Sequence, residues 1–140
     1  MAEEHITAWG HKNVSAMHKS TLMLTCDDHL TPAGDCIVAV NADKSAETLN
    51  KEVKKSLRGG CEVVLTLSCG GLTETVKARG DPRLTLTDAK DLVFRKSGFT
   101  CPRTVAVDAD KAACDLDRGF IRRLREGRLL NATFKVVENK

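Results

Sequence analysis

Four histidines, His5, His11, His18 and His29, occupy the first part of this 140-residue chain, and no histidine follows them. Cys26, Asp35 and Cys36 stand close by in sequence, and the set suggests two chemistries. Cys36 could act as a nucleophile with His11 or His18 as its base and Asp35 beside it, because a neighbouring base generates thiolate at neutral pH. Alternatively His11, His18 and Asp35 supply the three ligands that an open divalent-metal site needs, while Cys26-x-x-His29 is a single knuckle where a closed site wants two. Each residue also has a structural reading. His18 alternates with Val14, Ala16, Leu22 and Leu24, which would place it on the apolar face of a strand. Cys36 opens an apolar run, as a small buried hydrophobe would. No cofactor is expected, and a divalent metal is the minor alternative.

A second group lies far along the chain, where Arg95, Ser97 and Arg103 bracket a turn. With Asn13 and Thr21 they form a ligand-binding set suited to a small anion such as phosphate or carboxylate. The expected site is a cleft that His11, His18, Asp35 and Cys36 approach from one side and the arginines from the other.

The elements that must position these groups are written twice. Residues 36–60 and 103–127 align at a constant offset of 67 without a gap, with 11 identities in 25 positions. Each copy reads as strand, helix, strand. Cys36 to Asn41 and Thr104 to Val107 are short apolar strands, and Asp43 and Asp110 are the expected helix N-caps. Ala46, Leu49, Val53 and Leu57 then form one buried stripe, matched by Ala113, Leu116, Phe120 and Leu124. Gly59-Gly60 and Gly127 end the helices, and Val63 to Cys69 and Leu129 to Val137 alternate as strands. Upstream, Val14 to Thr25 and Asp91 to Lys96 match weakly at an offset of 70, which makes the first-half loop three residues longer. Leu72 to Ala78 adds another strand.

The expected fold is α+β and β-rich. It is internally duplicated, with copies at about 10–69 and 80–137 in one domain spanning 1–140. Two strand-strand-helix-strand halves form one mostly antiparallel sandwich or barrel-like unit with two pseudo-equivalent helices.

A duplicated chain carries its own control, since a feature present in both copies is explained by the fold. That assigns Asp43-Lys44 and Asp110-Lys111 to structure. The basic stripes Lys51, Lys55, Arg58 and Arg118, Arg122, Arg125 read as solvated faces near helix C-termini. The histidines, present in one copy, point to function.

Binding of a small anion between the halves, with turnover left open, is the leading function. A nucleic-acid-binding module using the basic helices and an assembly protein without chemistry are the alternatives, although no aromatic residues interleave the basic ones. A net charge of +3 does not by itself imply nucleic acid. The six cysteines form no paired framework and no basic-apolar leader precedes them, so a cytoplasmic, reduced protein is expected. No apolar run reaches the roughly 18 residues of a membrane span, so no membrane partner is expected. The sequence specifies no oligomeric state.

The strings GHKNVSAMHKSTLMLT, HLTPAGDCIVAVNADK and RKSGFTCPRTVAVDADKAA resemble an uncharacterised archaeal family, the domain of unknown function number 371. The likeness covers nearly the whole chain and includes His11, Asn13, His18, Thr21, Asp35, Cys36, Asp43, Lys44, Arg95, Ser97, Arg103 and Asp110. It implies an archaeal, cytoplasmic origin and a compact β-rich fold, and brings no reaction or substrate.

Overall fold

In the computed structural model, which describes residues 2–137, eight strands and two short helices follow the order β1 (Ala2–Trp9), β2 (Thr21–Thr25), β3 (Ile37–Ala39), α1 (Lys51–Arg58), β4 (Glu62–Cys69), β5 (Leu72–Arg79), β6 (Asp91–Arg95), β7 (Thr104–Ala106), α2 (Arg118–Arg125) and β8 (Leu129–Val137). The fold is α+β and strand-rich. One sheet is antiparallel throughout, in the order β1-β8-β4-β5. The other, β3-β2-β6-β7, has an antiparallel centre and parallel outer pairs. Both registers have a centre. Thr66 lies opposite Thr133 in the first sheet and Met23 opposite Val93 in the second. These partners are 67 and 70 residues apart, the two offsets of the sequence alignment.

The sheets meet at two corners. Trp9 and Val40 exchange backbone hydrogen bonds of 2.8 and 2.7 Å, and Arg79 and Val107 exchange two of 2.8 Å. Apolar residues alternating inward along β1, β4 and β8, among them Ile6, Leu65, Leu67 and Phe134, join Leu22, Leu24, Leu92 and Phe94 of the second sheet in one core. Phe94 and Phe134 touch across it in a tilted pair, centroids 5.6 Å apart. The helices add Val53 and Leu57 from α1 and Phe120, Ile121 and Leu124 from α2.

Several boundaries differ from the sequence reading. β1 was not expected, and residues 14–20 turn where a strand had been drawn. The helices begin at Lys51 and Arg118 rather than after Asp43 and Asp110, because those aspartates are engaged elsewhere. Asp43 Oδ1 accepts the Thr7 N–H at 2.9 Å, and Asp110 Oδ1 accepts the Lys77 N–H at 2.9 Å. The true N-caps are Asn50, which accepts from the Val53 N–H, and Asp117, which accepts from the Gly119 and Phe120 N–H groups. Ala46, Leu49, Ala113 and Leu116 are buried as expected, but in the turns preceding the helices. Those turns are tied to the first sheet by two glutamates, Glu4 buried and Glu74 half-buried. Glu4 takes Lys44 Nζ and the Asn50 N–H, and Glu74 takes Lys111 Nζ and the Asp117 N–H. Among the described residues no helix is long and apolar enough to cross a membrane.

Two glycines let helix and strand end meet backbone to backbone. A Cβ on Gly10 would lie 1.9 Å from the Leu124 carbonyl oxygen, and one on Gly80 would lie 2.1 Å from that of Leu57. Gly10→Ala or Gly80→Ala is therefore expected to cost roughly 3 kcal/mol or more, as when packed backbone must move. Gly60→Ala, at φ +76° with open space around it, should cost about 1 kcal/mol. Urea unfolding midpoints check the ranking.

Candidate functional site

The histidines close turns. His11 Nδ1 accepts the Asn13 N–H at 3.0 Å, and His18 Nδ1 accepts those of Ser20 and Thr21 at 3.2 and 3.0 Å. A ring nitrogen that accepts carries no proton, so these bonds place the proton of each neutral ring on Nε2. At an offset of 70 stand Asp81 and Asp88, which make the same bonds. Asp81 Oδ1 accepts the Arg83 N–H at 2.8 Å, and Asp88 Oδ2 accepts those of Lys90 and Asp91 at 3.1 and 2.6 Å. The histidines and these aspartates thus play one role at positions 70 residues apart, with the residue type changed. His18 lies ahead of β2 and not on an apolar strand face. Asn13 Nδ2 donates to the Leu30 carbonyl at 2.8 Å, His5 lies exposed near Thr133, and His29 is exposed.

Asp35 and Cys36 serve through their main chains. The Asp35 carbonyl accepts the Met17 and His18 N–H groups, and the Cys36 carbonyl accepts that of Met23. Pro102 and Arg103 do the same for Asp88 and Val93. Burial pushes the Cys36 thiol up, and Asp35 and Asp91 push the same way, against its own backbone N–H and Arg103. Among the described residues neither imidazole is hydrogen-bonded to Cys36, and no group of three His, Cys, Asp or Glu side chains is placed to hold a metal ion.

Of the second predicted group, Arg95 and Arg103 flank β6, while Asn13 and Ser97 hold loop backbone. Leu92 and Phe94 of β6 enter the core, so Asp91, Val93 and Arg95 share the outer face, opposite Thr25, Met23 and Thr21 of β2. Arg95 Nε donates to Thr104 Oγ1 at 2.9 Å and Nη2 to Cys101 Sγ at 3.4 Å, while the guanidinium lies 5.0 Å over the Phe99 ring. Arg103 Nη1 donates to Asp91 Oδ2 at 3.1 Å and touches Met23 Sδ, and the Arg103 backbone N–H is turned toward the Cys101 sulfur. Ser97 shapes the turn, its Oγ accepting the Phe99 N–H and its carbonyl that of Asp108.

Cys101 was not singled out from sequence, although the spacing Arg95-x5-Cys101-x-Arg103 was there to be read. Thr104 receives Arg95 Nε–H on its oxygen, which leaves its hydroxyl proton free for Cys101 Sγ at 3.4 Å. Burial pushes the Cys101 thiol up. The Thr104 hydroxyl, the Arg103 backbone N–H and the Arg95 guanidinium outweigh burial and hold it at about 7. This cluster occurs once. The positions matching Asp91, Arg95, Cys101, Arg103 and Thr104 hold Thr21, Thr25, Gly34, Cys36 and Ile37.

The basic helix stripes are partly engaged. Arg58 donates to the Leu84 and Thr85 carbonyls at 3.1 and 2.7 Å, and Arg118 to those of Ser15 and Ala16 at 3.2 and 2.8 Å, so both hold loops rather than standing solvated. Surface cavities of about 550 and 420 Å³ lie elsewhere. The first sits over β4 and β5 with Lys77, Arg79, Asp108 and Asp110 in its wall, the second at the β4–β5 hairpin beside Arg128.

A thiol held near 7 in the folded chain, below its ordinary value, contributes stability that is fully present above the unfolded thiol value of about 8.5 and is lost as pH falls through 7. The stability difference between wild type and Cys101→Ser should therefore grow from pH 6 to pH 9. Urea midpoints at the two pH values measure it, and an unchanged difference would contradict the charge environment described.

Comparison with known proteins identifies relatives but no activity. Over 132 residues the chain is 41% identical to the uncharacterized protein MJ0206 of Methanocaldococcus jannaschii, covering 94% of this chain and 96% of that protein. Residues 6–137 match the family described as "Domain of unknown function (DUF371)", and the chain belongs to that family.

Proposed function

We propose that this protein binds a small anion, a phosphate or carboxylate, on the outer face of β2 and β6 between Arg95 and Arg103. We also read the chain as an internal duplication forming one domain, in which the 95–104 segment of the second copy has acquired a site that the first lacks. The observation that carries the proposal is that two guanidinium groups flank β6 with one carboxylate, that of Asp91, to serve both: Arg103 takes it, and Arg95 rests on Cys101 and Thr104. Arg95 has no carboxylate partner among the described residues; it rests on a hydroxyl, a sulfur and an aromatic face. A planar fork of N–H donors in that setting suits the oxygens of phosphate or carboxylate. The histidine segment contributes by shaping the loop that leads into β2, where Thr21 stands opposite Arg95.

Thermal unfolding of the protein titrated with inorganic phosphate, and separately with a dicarboxylate, tests this reading. Saturation to about 100 times Kd adds about 2.7 kcal/mol, a rise of roughly 8 °C for a chain of this size. Arg95→Gln should abolish most of the rise. Arg103→Lys, which keeps the charge facing Asp91 but loses the fork, should reduce it. A response that is the same in wild type and both variants would sink the proposal.

A further inference from the structure

We infer that Cys101 is the nucleophile of a thiol–disulfide exchange site whose partner is a small anionic disulfide of the amino-acid or short-peptide class. The inference rests on the anion site proposed above and assigns it a chemistry. It begins from the donors around the sulfur. Arg95 Nη2 and the Thr104 hydroxyl each lie 3.4 Å from Sγ, and the Arg103 backbone N–H adds to them. Every one of these groups stabilises sulfur as an anion. None is a usable general acid, because an arginine does not give up its proton near neutral pH and an alcohol does so only weakly. Among the described residues no histidine or carboxylate is hydrogen-bonded to Cys101 Sγ, and Asp91 Oδ2 binds Arg103.

A nucleophile without a general acid needs a leaving group that departs unprotonated. An ester or amide would expel an alkoxide or amide ion, whereas a disulfide expels a thiolate, whose conjugate acid is of ordinary thiol strength. In the exchange the Cys101 thiolate attacks one sulfur of the disulfide in line with the S–S bond. The Cys101 Sγ–S bond forms, the S–S bond breaks, and its electron pair leaves with the second sulfur, which takes a proton from solvent. Cys101 is oxidised to a mixed disulfide and the departing half is reduced to a thiol.

Three further observations define the partner. The guanidinium groups of Arg95 and Arg103 favour a carboxylate beside the reacting sulfur. Phe99, 60% exposed, offers an apolar wall stacked on Arg95. Asp91 is 3% exposed, and among the described residues its Oδ1 has no hydrogen-bond partner while Oδ2 is held by Arg103. Buried acceptors are nearly always paired. An N–H donor of the partner would complete this one while Arg103 keeps its bond to Oδ2. Carboxylate, N–H donor and disulfide sulfur within a few bonds of one another describe an amino-acid or peptide disulfide.

The test follows the release of coloured thiolate at pH 7 from two probes, dianionic dithiobis(nitrobenzoate) and neutral dithiodipyridine, with the modified cysteine identified by peptide mass mapping. Cys101 should react first of the six cysteines with the anionic probe. Arg95→Gln should slow that reaction roughly tenfold and the neutral probe's by less, through lost thiolate stabilisation alone, and added salt should reproduce the difference between the probes in wild type. Salt on the wild-type protein keeps the test decisive if the variant does not fold. Preferential labelling of another cysteine, or equal effects on both probes, would overturn the inference. Phosphate protection of the wild type against heat reads the anion site alone, so failure of the exchange chemistry is distinguishable from failure of anion binding.

Discussion

A sheet edge is a row of unpaired N–H and C=O groups, and both edges of the antiparallel sheet are closed in this chain by the same combination of backbone and carboxylate. At the β1 edge, Trp9 and Val40 exchange backbone bonds. Two residues along, Thr7 gives its N–H to Asp43 Oδ1 and takes the Asp43 N–H on its carbonyl. At the β5 edge, Arg79 and Val107 exchange bonds, and Lys77 is paired with Asp110 in the same way. A carboxylate oxygen thus stands where a neighbouring strand would offer a carbonyl, and the edge is satisfied by a chain that is already turning away. Asn41 and Asp108, at φ +53° and +52°, make that turn possible, since short polar side chains tolerate the left-handed region.

Much of the remaining structure follows from this closure. Once Asp43 and Asp110 are spent on the edges, helix initiation passes to Asn50 and Asp117, and Ala46 and Ala113 reach the core from turns. Glu4 and Glu74, inward from the edge strands, then fasten those turns to the sheet by taking a lysine and the backbone N–H of the capping residue. The close passages at Gly10 and Gly80 set each helix against the strand end that begins the other copy's loop. These devices occur in matching pairs along the chain, so under the duplication proposed above they leave the central face of β2 and β6 as a place where the two parts differ. There Thr21 and Thr25 on one strand face Arg95 and Asp91 on the other.

The strand-helix-strand pattern was legible because apolar periodicity and terminal glycines report local structure directly. Val53, Leu57, Phe120 and Leu124 are buried where the stripe put them. The aspartates at 43 and 110 were misread because an N-cap and an edge closer look alike in sequence; only the long-range partner, Thr7 or Lys77, separates them. β1 was missed because Ala2–Trp9 alternates in burial but is rich in polar outward residues, and its pairing with β8 spans almost the entire chain. The site was half legible. Arg95 and Arg103 stood out as charges around a turn. Cys101, which lies between them in sequence, could be valued only once Thr104 and the Arg95 guanidinium were seen around its sulfur. The turn-closing role of His11 and His18 was not legible because residue type, and not role, was compared across the two aligned segments. Imidazole Nδ1 and aspartate Oδ accept the same backbone N–H groups.

The central claim is that the shared framework makes the fold and the single 91–104 cluster makes the site. It is tested most directly by writing the first copy's residues into the second: Asp91→Thr, Arg95→Thr, Cys101→Gly and Arg103→Cys together. Removing Asp91 with Arg103 avoids stranding a buried charge, which would otherwise cost about 3–5 kcal/mol. The measurement is phosphate binding by titration calorimetry, with circular dichroism confirming the fold. The account predicts a folded protein with native secondary structure and no detectable phosphate binding. Retained binding in the folded variant, or collapse of the fold, would contradict it.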